Sequence, residues 1–237
     1  MKIIVEYFGE DFRPFVDVLA YSIARHCPTA DTFIYDDVGP DYKFDGVQAG
    51  VTHNTYKLER WRDAVNEHDG ELVILDADTI VLGDLAPAFD LFDGDLAYTV
   101  RPGRIPLNGG ALYIRNSESV RSFFDAWVAL NRSIATDWQR CQSLLEGFGG
   151  VNQASLWELL QDQKLIKADT LPCEIWNSVD QTWCRFSDDD TRVVHVKGRL
   201  RQRCLADKLK GDGGCVDYLA RIWKTYAEQA GVNHVVI

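Results

Sequence analysis

The sequence predicts an α/β fold in which a central sheet is flanked by helices. Three observations carry that prediction. Strand, helix and strand patterns follow one another within residues 2–37, the order of a βαβ unit. An apolar run, Leu72-Val-Ile-Leu75, reads as a buried strand and ends in two carboxylates, Asp76 and Asp78. A long amphipathic helix pattern, Ser117 to Asn131, follows a further strand. With 237 residues, 46% of them hydrophobic, the chain has enough apolar material for a sizeable core. No low-complexity run or internal repeat divides it, so we expect a single domain with C-terminal additions.

The elements follow in order. Lys2-Ile-Ile-Val-Glu-Tyr-Phe8 is rich in β-branched and aromatic residues and is expected as a first strand inside a parallel sheet. Gly9 lets the chain turn. Phe15, Val18, Leu19 and Ile23 fall at helical spacing within 12–26, with Pro14 in the first turn. Thr32-Phe-Ile-Tyr35 is the second strand, closed by Asp36 and Asp37. After a loop over 39–50, residues 56–68 read as a helix with Leu58, Trp61 and Val65 on one face. The Asp76-x-Asp78 strand comes next, then a helix start at Gly83-Asp84 and a strand at Leu96–Val100. Turn-rich residues 101–106 lead into the strand Leu107-Asn108-Gly109-Gly110-Ala-Leu-Tyr-Ile114. The helix from Ser117, a plausible N-cap, buries Val120, Phe123, Phe124, Trp127 and Leu130. Gly149-Gly150-Val-Asn152-Gln153 opens another helix. A strand over 165–171, a loop holding Trp176, a strand over 193–196 and a helix over 216–230 complete the chain.

The formal net charge of −11 disfavours nucleic acid and anionic membrane surfaces as partners. A basic stretch, Lys197-Gly-Arg-Leu-Arg-Gln-Arg203, runs against that average. It reads as a solvated loop or as a binder of a phosphorylated ligand. The six cysteines form no Cys-x-x-Cys pair, which argues against a zinc site. The N-terminus enters a strand with no signal-peptide pattern, and no apolar run is long enough to span a bilayer. A cytoplasmic protein with reduced thiols is expected, peripheral membrane contact remaining open.

Carboxylates at a buried strand end are costly unless their charge is compensated. A hard divalent cation does this with oxygen ligands and substrate phosphates. Each motif also has an ordinary structural reading. Asp76-x-Asp78 alone is a strand running into a polar turn. Asn108-Gly109-Gly110 is a bulge, or a place where something approaches the backbone closely. Asn152 and Gln153 cap a helix. His195 is a satisfied core histidine.

The four elements in this order, Asp76-x-Asp78, Asn108-Gly109-Gly110, Asn152-Gln153 and His195-x-x-Gly198-x-x-Arg201, resemble glycosyltransferase family eight, the glycogenin and bacterial galactosyltransferase group. The resemblance runs from the first strand to about Arg203. It implies the GT-A fold, a Rossmann-like nucleotide-diphospho-sugar transferase fold with a mixed central sheet flanked by helices. It divides the single domain of 1–237 into a nucleotide-binding half (1–100), an acceptor and metal-completing half (101–203) and a C-terminal helical extension (204–237). It implies a hexosyl transfer from a nucleotide sugar, a UDP-sugar, with retention of configuration.

By the same resemblance, Asp76, Asp78 and His195 hold Mn²⁺ or Mg²⁺; the mixed oxygen and nitrogen set suits Mn²⁺ better. Gly198 and Arg201 meet the diphosphate. Arg201 stands where the family has lysine, so a planar fork replaces a point charge. Tyr7, Phe8 and Gly9 correspond to the nucleotide-base pocket. Lys57 stands near the position where the family carries an arginine that contacts the donor. Asn108, Gly109 and Gly110 lie close to the donor sugar, and Asn152 and Gln153 at the face of transfer. Asn152 replaces the family's aspartate and cannot act as a nucleophile at neutral pH, which favours front-face transfer. Apart from the resemblance, Trp176 has two readings: a single Trp more often packs in the core, and otherwise its aromatic face stacks on an acceptor sugar.

Expected partners are the nucleotide-sugar donor and a glycan, lipid-linked sugar or protein acceptor. Two rival readings stand beside this one. A sugar-phosphate nucleotidyltransferase usually carries a Gly-rich basic loop after the first strand, whereas Gly9-Glu-Asp-Phe-Arg13 is acidic with one glycine. A non-catalytic nucleotide-sugar-binding protein of the same fold is the other.

Overall fold

The computed structural model describes residues 1–103, 107–148, 150–162, 165–206 and 214–232. Of the stretches singled out above, residues 104–106 and Gly149 lie outside them, as do residues 207–213 and 233–237 of the C-terminal extension. The first half contains β1 (Lys2–Phe8), α1 (Arg13–His26), β2 (Asp31–Asp37), α2 (Ala49–Glu67) and β3 (Gly70–Asp76). After it come β4 (Thr79–Val81), a 3₁₀ segment at Ala86–Leu91, β5 (Leu96–Val100) and β6 (Leu107–Asn116). Then follow α3 (Glu118–Thr136), α4 (Trp138–Phe148), α5 (Val151–Leu160), β7 (Ala168–Pro172), α6 (Cys173–Trp176), β8 (Val193–His195), α7 (Gly198–Leu205) and α8 (Gly214–Gln229).

Six strands form one mixed sheet in the order β2-β1-β3-β6-β5-β7, with β6 antiparallel to both neighbours. β1 lies between the parallel partners β2 and β3, as its apolar run predicts. The run in β3 is continuous because both faces are covered. Val73 and Leu75 join Ile3, Val5 and Leu19 on the α1 side, while Leu72 and Ile74 join Ile4, Leu58 and Trp61 on the α2 side. A separate two-stranded sheet pairs β4 with β8. Among the described residues no helix is long and apolar enough to cross a membrane.

Several boundaries differ from expectation. Helix α2 begins at Ala49 rather than at Tyr56. Its first turns bury Thr52 and Thr55, and Thr55 is satisfied by hydrogen bonds to Val51 O (2.9 Å) and from Asn131 Nδ2 (2.7 Å). A buried face that is polar leaves no apolar period to read. Helix α4 was not expected; its one fully buried side chain is Cys141. The basic stretch is not a solvated loop but helix α7, seated through Leu200 and Cys204. β7 starts at Ala168 instead of Leu165. Trp176 belongs to the short helix α6 and is core, packed edge-on against Tyr113 at 5.6 Å, so it is withdrawn as an acceptor contact. Nor are all thiols reduced: Cys184 and Cys215 form a disulfide, their Cα atoms 5.3 Å apart, tying α8 to the segment after Trp183. Residues 31 apart in sequence carry no sign of that approach.

Candidate metal and nucleotide-sugar site

The two carboxylates arrive from one chain reversal. Asp76 is the last residue of β3; Ala77 turns into the α1-side core, and Asp78 precedes β4. β8 delivers the third group, since antiparallel pairing sets His195 opposite Thr79. The Val196 amide donates to Asp78 O at 2.6 Å, and the His195 amide to Ser178 O at 2.9 Å, fixing the register. One ligand atom from each of Asp76, Asp78 and His195 lies within 4.8 Å of the other two. His195 Nε2 is 3.1 Å from Asp78 Oδ1 and 3.7 Å from Asp76 Oδ2.

Two cations compensate the pair. Lys57 Nζ lies 2.7 Å from Asp76 Oδ1 and 4.7 Å from the Trp61 ring centroid. The Arg201 guanidinium pairs with Asp78 Oδ2 and lies over Phe12 at 5.0 Å. Gly198, at φ +50°, lets the chain turn from β8 into α7, which carries Arg201 back to the carboxylate. Burial pushes the Asp78 carboxyl up, but His195 and Arg201 beside it outweigh burial and hold it well below the usual carboxylate range. Asp78 therefore stays ionised at physiological pH.

The residues fit a divalent cation. Two carboxylates and an imidazole converge, and His195 Nδ1 is buried with no partner of its own. Gly110 is what leaves room for them. A Cβ there would lie 2.6 Å from His195 Cε1 and Nδ1 and 3.0 Å from Asp76 Oδ2. The close backbone approach expected at this glycine pair is thus the histidine ring. The bulge alternative holds as well, because the β5–β6 register shifts between Tyr98 and Thr99.

Around this cluster a cleft of about 740 Å³ opens. It brings together every residue singled out in the sequence except Gly198 and Trp176. Its lining includes Tyr7, Phe8 and Gly9, the charged cluster Lys57, Asp76, Asp78, His195 and Arg201, and Asn108, Gly109, Gly110, Asn152 and Gln153, with Gly110 directly against the His195 ring. Asn108 is buried and held through Nδ2, which donates to Asn177 O at 3.3 Å. Asn152 sits at the start of α5, where Trp127 Nε1 donates to its carbonyl at 3.0 Å. Lys197 also faces the cleft.

No protein-family model matches the chain, and no curated protein sequence matches it. Solved structures do. A glycosyltransferase involved in glycosylation of the major capsid of PBCV-1 aligns with TM-score 0.62 and 13% identity over 93% of this chain and 98% of that one. The galactosyltransferase LgtC, solved with donor and acceptor sugar analogs, aligns with TM-score 0.58 and 13% identity over 100% and 97%. The glycosyltransferase GlyE of Streptococcus pneumoniae TIGR4 aligns with TM-score 0.60 and 14% identity over 95% of this chain, which spans 60% of GlyE's length. The fold is GT-A. On this GT-A frame the Asp-x-Asp turn sits at the end of the central strand β3, and the cleft opens along the ends of β1 and β3.

The cleft also holds residues that sequence reasoning passed over: Glu6, Val38, His53 and Asn54. His53 and Asn54 fall in the polar first turns of α2, ahead of the helix expected from Tyr56. Glu6 left a signal, a single acid inside an apolar strand. It is 2% exposed, and neither of its carboxyl oxygens has a hydrogen-bond partner. Burial raises its pKa from 4.5 to about 8, against the opposing pull of Arg60, whose Nε is 4.0 Å away. A raised folded-state pKa means that the native state binds the extra proton. The stabilising contribution is full below about pH 4.5 and is lost as pH rises through about 8. Glu6→Gln is therefore expected to lose less thermal stability than the wild type between pH 5 and pH 8. Melting temperatures of both proteins across that range check it; parallel curves would contradict it.

Proposed function

We propose that the chain is a metal-dependent glycosyltransferase that moves a hexose from a nucleotide-diphospho-sugar, a UDP-sugar, to an acceptor hydroxyl. The observation that carries this reading is the convergence of Asp76, Asp78 and His195 in a cleft that Lys57, Lys197 and Arg201 and the amides of Asn108, Asn152 and Gln153 also line. Mn²⁺, or Mg²⁺, would be held by those three side chains. When bound, it supplies Lewis-acid stabilisation of the charge that builds on the departing diphosphate.

The chain's own residues do the rest. Lys57, Lys197 and Arg201 give an acidic protein a locally cationic wall for the diphosphate. Gly198 serves by turning the chain so that Arg201 reaches this wall. Asn108, Asn152 and Gln153 present side-chain amides, which both donate and accept and so match sugar hydroxyls. Tyr7, Phe8 and Gly9 line the cleft for the nucleotide base, and the backbone of Gly109 and Gly110 lines it for the donor sugar. Asn152 cannot attack an anomeric carbon, so we favour front-face transfer with retention. The acceptor belongs to glycans, lipid-linked sugars or proteins.

Arg201 already occupies Asp78, so it competes with a dication until the diphosphate draws it away. Arg201→Ala is expected to move two affinities in opposite directions: Mn²⁺ alone binds several-fold more tightly, and UDP in Mn²⁺ binds about tenfold more weakly. Calorimetric titration of each ligand checks both signs. If both affinities fall, the competition is absent.

The function is tested by incubating the protein with UDP-glucose, UDP-galactose, UDP-N-acetylglucosamine and GDP-mannose and measuring nucleoside diphosphate release. Release from one UDP-sugar in Mn²⁺, abolished by chelator, is expected. Pyrophosphate release from UTP and a sugar 1-phosphate, with no diphosphate release from any donor, would move the protein to the nucleotidyltransferases.

A further inference from the structure

The helix that carries Arg201 to the cleft is too slight to hold it there alone. α7 has eight residues, and its buried side chains are Leu200 and Cys204. An isolated helix shorter than about 12–15 residues is marginal in water. Something outside α7 must fix it. Residues two apart lie about 200° apart around a helix axis, so Arg203 faces away from the cleft that Arg201 enters. There it meets α8. Arg203 Nε donates to Asp217 Oδ1 at 2.6 Å and Nη2 to Asp217 Oδ2 at 2.7 Å. Two such bonds from one guanidinium to one carboxylate are strong and set an orientation as well as a distance. Asp217 is 1% exposed, a burial that carboxylates reach only when paired.

α8 is itself well anchored. Cys215, two residues before Asp217, carries the disulfide to Cys184. The Trp223 ring lies 5.3 Å from that of Phe15 in α1, and Lys224 Nζ donates to Ala206 O just past the end of α7. The Arg201 guanidinium lies over the same Phe15 ring at 5.5 Å. α8 therefore reaches Arg201 by two routes, through Arg203 along α7 and through Trp223 and Phe15. One apolar cluster joins Leu219, Ala220 and Trp223 of α8 to Leu200 of α7 and to Ile80 and Val194 of the β4–β8 sheet, beside Asp78 and His195.

We propose that Arg203 and Asp217 are a positioning pair: they clamp α7 to α8 so that Arg201 stands where it meets Asp78 and the diphosphate. This rests on the diphosphate role of Arg201 given above. It assigns a task to the C-terminal helix, which lies beyond the stretch that carries the family resemblance. Neither member of the pair touches substrate; both act through Arg201.

The test titrates Mn²⁺ alone, and UDP in Mn²⁺, into the wild type, Arg201→Ala, Arg203→Ala, Asp217→Asn and the double variant Arg201→Ala/Arg203→Ala, each below its melting temperature. Loosening α7 takes Arg201 off Asp78, so the two clamp variants should repeat the Arg201→Ala signature in smaller measure. Mn²⁺ alone is expected to bind about twofold more tightly, and UDP in Mn²⁺ about fivefold more weakly. The double variant should match Arg201→Ala, because the pair acts through that side chain. Arg203→Lys, which keeps the charge and loses the fork, should fall between the wild type and Arg203→Ala. A pair that only stabilises the fold would lower both affinities together, or add its loss to that of Arg201→Ala; either result overturns the positioning role. Unchanged affinities in both Arg203→Ala and Asp217→Asn overturn it too. If Arg201→Ala itself leaves UDP affinity unchanged, the diphosphate role of Arg201 fails and the clamp fails with it.

Discussion

Asp78→Ala is expected to abolish metal-dependent nucleotide binding and to lower sugar transfer by at least about a thousandfold, the scale of a lost Lewis acid. Asp78 is 6% exposed and is shared by His195 and Arg201. Its removal takes away one of three ligands and half of the negative charge of the cluster. It also leaves the Arg201 guanidinium without its acid and His195 Nε2 without its nearer carboxylate. With charge and geometry both lost, UDP affinity measured with Mn²⁺ should fall to that measured without it. Asp78→Asn, which keeps the volume, should behave the same way if charge is what the site needs. Retained metal dependence in Asp78→Asn would show that the cation is held elsewhere.

Gly110→Ala has the second largest expected effect, although it adds only one methyl group. Its Cβ would lie 2.6 Å from the His195 ring, closer than real Cβ contacts come. β6 runs through the centre of the sheet between β3 and β5, so the backbone cannot give. The ring must move, and Asp76 Oδ2 at 3.0 Å is crowded as well. We expect Mn²⁺ affinity to fall by about a hundredfold and stability by about 1–3 kcal/mol, the usual cost of overpacking. Gly109 supplies the contrast, because a Cβ there first meets Gln153 Cγ at 3.9 Å and would leave His195 in place. Metal titration and urea denaturation of Gly110→Ala check both numbers. Wild-type metal affinity would show that His195 is not a ligand.

The parts of this protein that were readable beforehand are those whose signal is local. β3 shows itself because both of its faces are buried, making the apolar run continuous, and its end is marked by the two acids. Helix α3 shows its stripe because Val120, Phe123, Phe124 and Trp127 repeat at helical spacing. The opening of α2 was lost because Thr52 and Thr55 bury oxygen atoms that hydrogen bonds satisfy, and hydropathy counts those positions as exposed. Helix α7 looked like a solvated run because arginines surround the two residues that seat it. Its Arg201 folds back on Asp78 across 123 residues of sequence. His53, Asn54 and Glu6 enter the cleft only through the packing of α2 on β1. That is tertiary information, and no spacing within one element encodes it.

The most direct measurement is calorimetric titration of UDP into the wild-type protein, first with chelator and then with Mn²⁺. If Asp76, Asp78 and His195 form the metal site of a UDP-sugar transferase, Mn²⁺ should tighten UDP binding by at least about tenfold. UDP binding that is equal with and without Mn²⁺ would contradict it, and would leave Lys57, Lys197 and Arg201 as the whole of the diphosphate site.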